Sequence, residues 1–239
     1  MLNLIKMTVP IVAAEKEARA ADEFNADSPL FHAKVAIASA FGEAALRPWR
    51  LCDAENDIYT IMGWVSDLKA VAPTPASRRL GVYIDAVEWL IPSAGDTCTF
   101  DILATPVKSV RTGVKKEHRR HIDVAMMRTP DTDAFSKPTG SERANAWISW
   151  LQSEMSSPRT GMRVEKAPKL VGHGSVGAKR NIAFQKRQVT LPVMRAHFDA
   201  AIVDVGTLNG FLRLGFKKAK DLGLGCLLPV SALAQEGLL

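Results

Sequence analysis

The chain has 239 residues, 47% hydrophobic and 23% charged, which is enough for one large or two small domains that each bury a core. Disordered and fibrous classes are excluded by that composition. Lys and Arg total 31 against 25 Asp and Glu, a formal net charge of +6, so the position of the charge matters more than its size.

Leu2 to Val12 reads as a strand with Pro10 near its end. Interrupted by Asn3, Lys6 and Pro10, this run is too short to span a bilayer and lacks the features of a signal peptide, so no membrane association is expected. Ser28-Pro29 starts a helix, with Ser28 as N-cap and Pro29 in the first turn, running to about Phe41 and stopping at Gly42. Asp57 to Trp64 and Leu80 to Leu90 are β-rich, and Pro92 to Asp96 is a turn. Thr97 to Val107 is a strand, Ser141 to Met155 a helix burying Ala144, Trp147, Ile148 and Leu151, and Gly161 to Val171 a strand. A glycine-rich stretch, His173 to Gly177, is expected to be flexible. A β region from about Ile182 to Val205 follows it, then a helix from Thr207 to about Phe216 and a closing strand from Cys226 to Val230.

The later half therefore runs β-α-β-β-α-β, the ferredoxin-like unit, and the earlier half reads as a looser copy with its second helix missing or reduced. The expectation is an α+β fold of tandem ferredoxin-like (RRM-like) domains, residues 1–92 and 93–239, with an inserted basic element at about 108–140. Within that insertion Val114 to Met127 is predicted to be helical.

Sorted along the chain, the charge is polarised. Between Lys108 and Arg128, seven cations (Lys108, Arg111, Lys115, Lys116, Arg119, Arg120, Arg128) meet two acids, Glu117 and Asp123. From Arg163 to Arg187, a run that includes Lys179, Arg180, Lys186 and Arg187, the single acid is Glu165. Lys217, Lys218 and Lys220 form a third cluster, whereas Ala14 to Asp27 and Asp53 to Asp57 are acidic. Each run alone is explained by a solvated face. Three runs with few aromatics between them point to the backbone of duplex or hairpin RNA, where clustered cations gain affinity by releasing counterions.

The three scattered cysteines, Cys52, Cys98 and Cys226, have no CxxC spacing, which argues for a reducing cytoplasm and against structural zinc. Of the five histidines, none forms a metal motif; His118 and His121, at i and i+3 in a basic context, are read as phosphate contacts. There is no GxSxG, Walker or GxGxxG pattern in a suitable context. On a helical wheel at about 100° per residue, His32 falls off the apolar arc of Leu30, Phe31, Val35, Ile37, Ala38 and Phe41, beside Ala36, Ser39 and Glu43. From spacing alone it is either an ordinary half-exposed histidine or a general base or acid for opening an RNA 2′-hydroxyl. The run Gly215 to Leu228, with Gly223 and Gly225, lets backbone approach a phosphate beside lysines; a helix C-cap and a turn account for the same glycines.

Together these pieces resemble the CRISPR repeat-processing endoribonucleases of the RAMP superfamily, in particular those of type I-E systems and their type IV relatives. The family's glycine-rich loop is matched at Gly215, Lys218, Lys220, Gly223 and Gly225, with Lys217 where a middle glycine stands. Ser28 to His32 is similar to the stretch carrying the catalytic histidine, with Pro29 where the family often has tyrosine. Ile91 to Arg111 resembles the strand leading into a basic segment, and Arg143 to Leu151 the R-x-x-x-W-x-x-W-L helix. The departure at Pro29 and the enlarged basic segment incline the resemblance toward type IV.

The resemblance implies a metal- and cofactor-independent nuclease that binds the hairpin of CRISPR repeat RNA. It would cleave at the hairpin's 3′ base by 2′-hydroxyl attack and often stay bound with the other subunits of an effector complex. It implies His32 as general base or acid, with Lys34 and the glycine-loop lysines stabilising charge. Two alternatives are a non-catalytic RNA-binding subunit that caps a guide RNA, and a ferredoxin-like pair whose basic runs serve another anion.

Overall fold

The computed structural model describes residues 2–22, 27–43, 45–111, 119–127, 140–182, 185–216 and 222–239, with the side chains of 109–111, 119–121, 178–182 and 185–189 left out. The first strand, β1 (Asn3–Pro10), ends at Pro10, and helix α1 (Ile11–Ala21) begins directly after it. Apolar periodicity did not reveal α1 because its buried face is alanine alone, Ala14 and Ala18. Helix α2 (Pro29–Phe41) has the predicted bounds, with Pro29 in the first turn and Gly42 closing it at φ 92. Strands β2 (Trp49–Glu55) and β3 (Ile58–Val65) form a hairpin through Asn56 and Asp57, both at positive φ as a two-residue turn requires. Helix α3 (Pro75–Arg79), held by a reciprocal Thr74–Ser77 capping box, is the reduced second helix, and β4 (Tyr83–Val87) pairs with β1. The order β2-β3-β1-β4 is antiparallel throughout.

The second sheet repeats the plan. Strand β5 (Thr97–Ala104) is followed by a two-stranded hairpin, β6 (Val107–Arg111) and β7 (Arg119–Asp123). The predicted helix at 114–127 is therefore corrected: residues 119–123 are strand and 124–127 a single 3-10 turn, while 112–118 lie outside the described residues. Asp123 ties this hairpin to helix α4 (Gly140–Met155), accepting from Trp147 Nε1 at 2.7 Å and from the Ala125 amide at 2.9 Å. Helix α4 buries Trp147 and Leu151 as expected, with Ala146, Trp150 and Met155 in place of Ala144 and Ile148.

The single strand expected at 161–171 is broken into β8 (Met162–Val164) and β9 (Lys169–Ile182). His173 to Gly177, expected to be flexible, lies inside β9, where β10 (Gln185–Ile202) supplies paired backbone for each glycine and overrides its intrinsic freedom. Helix α5 (Val205–Leu214) is capped by Asp204, whose side chain accepts from the Thr207 amide; β11 (Leu227–Pro229) and α6 (Val230–Gln235) complete the chain. The order β11-β5-β10-β8, with β9 also on β10, reproduces the first sheet, so the fold is α+β and tandem ferredoxin-like.

Alternation along β1 and β3 decides how the halves join. Ile5, Met7, Val9, Tyr59 and Ile61 pack under α1 and α2, whereas Leu4, Met62 and Trp64 join the core of the second half. Across this seam Trp64 Nε1 donates to the Leu227 carbonyl at 2.8 Å, and Arg50 on β2 pairs with Asp101 on β5. Asp101 is fully buried and Arg50 is 4% exposed. Burial raises the Asp101 pKa, but the charges and hydrogen bonds of Arg50 and Arg195 outweigh it and hold the carboxyl below its ordinary range.

Asp101→Asn leaves a buried guanidinium without its counter-charge and is expected to cost about 3–5 kcal/mol in urea unfolding. A carboxyl whose pKa is lower folded than unfolded contributes stability above the unfolded value and loses it as pH falls through the folded one. The gap between wild type and variant should therefore close only as pH drops below the ordinary carboxyl range; a gap that stays constant as pH falls further would contradict the assignment.

Candidate nucleic-acid interface

His32 sits in the first turn of α2, but on the side opposite to that expected. The packed face of α2 is His32, Ala33, Ala36, Ile37 and Ala40, whereas Phe31, Val35 and Ala38 are only half-buried. Small alanines let α2 lie close to the sheet, and the apolar arc of larger residues was misleading because it lies at the margin of the helix packing. His32 is 6% exposed, its Nδ1 lies 2.9 Å from the Tyr59 hydroxyl, and the two rings are 6.0 Å apart. Burial, then the negative charge of Glu15, pushes the Tyr59 phenol up. Glu15 on α1 is in turn held low by its hydrogen bond and ion pair with Arg19, at 2.6 Å. Lys34 is half-buried and, two residues on, lies about 200° round the helix, so His32 and Lys34 are not brought together.

Sequence reasoning missed Tyr59, Glu15 and Arg19. The signal for Tyr59 was its strand alternation with Ile61; for the other two it was i, i+4 spacing on an unrecognised helix.

The basic segments resolve into two hairpins. Lys108 is exposed on β6. Arg111 stands directly opposite Arg119, and Arg120 opposite Val110, on the β6–β7 pair. On β9–β10, Arg180 is opposite Arg187, Lys179 opposite Gln188 and Lys186 opposite Asn181. Like charges in direct cross-strand register destabilise a hairpin, and each hairpin has such an arginine pair in its backbone register near its end. Lys115, Lys116, Lys217, Lys218 and Lys220 lie outside the described residues, as does His118.

The glycine loop is fixed at its base. The Phe216 amide donates to the Gly225 carbonyl and the Gly225 amide to the Leu103 carbonyl, both at 2.7 Å. A Cβ on Gly225, at φ 77, would fall 1.9 Å from the Phe216 carbonyl oxygen, and one on Gly223 would fall 2.5 Å from the Trp49 ring. Gly215 likewise faces Pro48, 2.7 Å from where its Cβ would be. Gly215 and Gly223 pack closely against Pro48 and Trp49 at the start of β2, a role the sequence alone did not separate from phosphate approach.

A cleft of about 470 Å³ between β7, α4 and β9 is lined by Asp123, Arg143, Trp147, His173, Ser175 and Thr190. His173 is exposed there and meets the Trp147 ring edge to face at 6.2 Å. Among the described residues no three His, Cys, Asp or Glu side chains converge to hold a metal ion, and no helix is long and apolar enough to cross a membrane. Cys52, Cys98 and Cys226 are free thiols, and burial pushes all three up.

Topology and charge placement define a tandem ferredoxin-like protein bearing two basic hairpins. Among solved structures, the chain is similar to CRISPR endoribonuclease Cse3 bound to a 19-nucleotide RNA, at 16% identity and a TM-score of 0.61, with 95% of this chain and 99% of that one covered. It is similar also to the CRISPR-associated protein Cas6e from Escherichia coli str. K-12 (13%, TM-score 0.52, 95% and 98% covered) and to a chain of a CRISPR RNA-guided surveillance complex (15%, TM-score 0.51, 95% and 98%). At these identities the likeness is one of fold, and it runs end to end. No protein-family model and no curated protein sequence matches the chain.

Gly225→Ala is expected to lower the melting temperature clearly, since the positive φ alone costs about 1–3 kcal/mol and the added carbon overlaps Phe216. An unchanged melting temperature would show that the loop base is looser than described.

Proposed function

We propose that the chain is a CRISPR repeat-processing endoribonuclease of the RAMP superfamily. It binds the hairpin of a repeat RNA, cleaves at the hairpin's 3′ base and remains with its product among the other subunits of an effector ribonucleoprotein. The reading rests on one observation above others: a fold shared end to end with RNA-bound Cse3 carries its arginines in like-charged register on two hairpins. Lys108, Arg111, Lys115, Lys116, Arg119, Arg120, Lys179, Arg180, Lys186 and Arg187, with the lysines between Gly215 and Gly223, are assigned to phosphate contacts, since A-form RNA offers its backbone more readily than its deep groove. With three free cysteines, the reducing cytoplasm is the assigned compartment.

In the proposed reaction the 2′-hydroxyl loses its proton and its oxygen attacks the adjacent phosphorus. The bond from phosphorus to the 5′-oxygen breaks, the leaving oxygen takes a proton, and the products are a 2′,3′-cyclic phosphate and a 5′-hydroxyl. This internal displacement needs an oriented nucleophile, a proton acceptor and donor, and cations around the phosphate. His32 is assigned as base or acid, with Tyr59 fixing the orientation of its ring through Nδ1. Type IV kinship is favoured by Pro29 and by the enlarged basic segment.

The 6% exposure of His32 favours a second reading, a non-catalytic subunit that caps the guide RNA. Incubating wild type and His32→Ala with a repeat-containing transcript in EDTA separates the two. The nuclease reading expects cleavage by wild type and a rate about 10²-fold lower or less in the variant. Equal rates would remove His32 from the chemistry, and RNA retained intact by wild type would support the cap.

A further inference from the structure

A second cluster of charge, outside the residues assigned above, lies on the second sheet beside the seam. Asp101 is in cross-strand register with His197 on β10, and its carboxylate accepts from Arg50, from Arg195 Nε at 2.7 Å and from His197 Nε2 at 2.6 Å. Being ionised, the carboxylate is an acceptor only, so Nε2 carries the proton and donates it to Asp101. Arg50 is enclosed and neutralises Asp101, so Arg195 brings a second full positive charge to the same carboxylate.

Both outer members keep access to solvent. The side chains of Arg195 and His197 are 27% and 26% exposed. Among the described residues neither terminal amine of Arg195 has a hydrogen-bond partner, so the fork is pre-positioned by Nε with its donors unspent. Across the sheet, Lys169 is the register partner of His197 and is exposed, while the partner of Arg195 is Gly172, where a Cβ would meet nothing within 4 Å. The acid on the same face, Asp199, lies one pleat further on and accepts from Thr99 Oγ1 at 2.7 Å.

We propose that Arg195 and His197, braced by Asp101 and flanked by Lys169, form an oxyanion site that takes a backbone phosphate of bound RNA on the open face of the second sheet. The guanidinium fork matches two phosphate oxygens, and the cleared ground at Gly172 admits the sugar-phosphate chain. The proposal rests on the RNA-binding reading and adds a contact on the sheet between the basic hairpins and the seam.

The test is fluorescence-anisotropy binding of a repeat-type hairpin to the full chain over a salt series, comparing wild type with Arg195→Gln and Arg195→Lys. Loss of one charge-assisted contact is expected to weaken binding about tenfold and to flatten the slope of log affinity against log salt by about 0.7–0.9 in Arg195→Gln. Arg195→Lys, which keeps the charge but not the fork, should retain most of the slope and lose about threefold in affinity; it also serves if Arg195→Gln does not fold. If wild type binds and a folded variant matches its affinity and slope, the phosphate site is overturned and the RNA-binding reading stands. If wild type itself does not bind the hairpin, both fail together.

Discussion

The contact between Arg50 and Asp101 sets the geometry on which everything else depends. Two antiparallel sheets of the same topology are joined by a charge pair in which the buried Arg50 guanidinium of the first sheet finds its carboxylate on the second. Because Arg50 belongs to β2 and Asp101 to β5, the pair specifies how one sheet meets the other. The indole of Trp64 on the Leu227 carbonyl and the glycine loop against Pro48 and Trp49 then fall into place around it. Hydrophobic contact alone, through Leu4, Met62 and Trp64, is non-directional and would tolerate sliding.

That fixed seam has a consequence for the charge. Two hairpins outside it each place an arginine in register with an arginine, against the local rules of a stable sheet. Conflicts between local preference and overall fold are expected where function, rather than stability, has chosen the residue. In the proposed reading, an RNA backbone would resolve this conflict by supplying the missing anions. A net charge of +6 understates the effect, because acids such as Glu15, Glu17 and Asp85 belong to the first half and Arg111, Arg119, Arg180 and Arg187 to the hairpins.

Legibility in the sequence followed the physics of each element. Helix α2 was readable to the residue because Ser28, Pro29 and Gly42 are chemical stop signals, and both β-α-β-β orders followed from runs of Val, Ile and Leu. Helix α1 was not readable, since a face of Ala14 and Ala18 leaves almost no apolar period. The side taken by His32 was missed for the same reason: alanines on α2 pack closest while larger residues stay at the margin. Strand β9 was obscured by Gly172, Gly174 and Gly177, whose extended form depends on pairing with the following strand, β10. Of the site, the basic clusters were visible, but the partners that give histidines a role, Tyr59 for His32 and Asp101 for His197, are 27 and 96 residues away in sequence.

On the proposed reading, this fold is built to hold a folded RNA. The most direct test is competition between a repeat-type hairpin and an unpaired RNA of the same length and composition for the purified chain at moderate salt. That reading predicts that the hairpin wins by a wide margin, with affinity falling steeply as salt rises. Equal affinity for the two RNAs, or binding to neither, would contradict it.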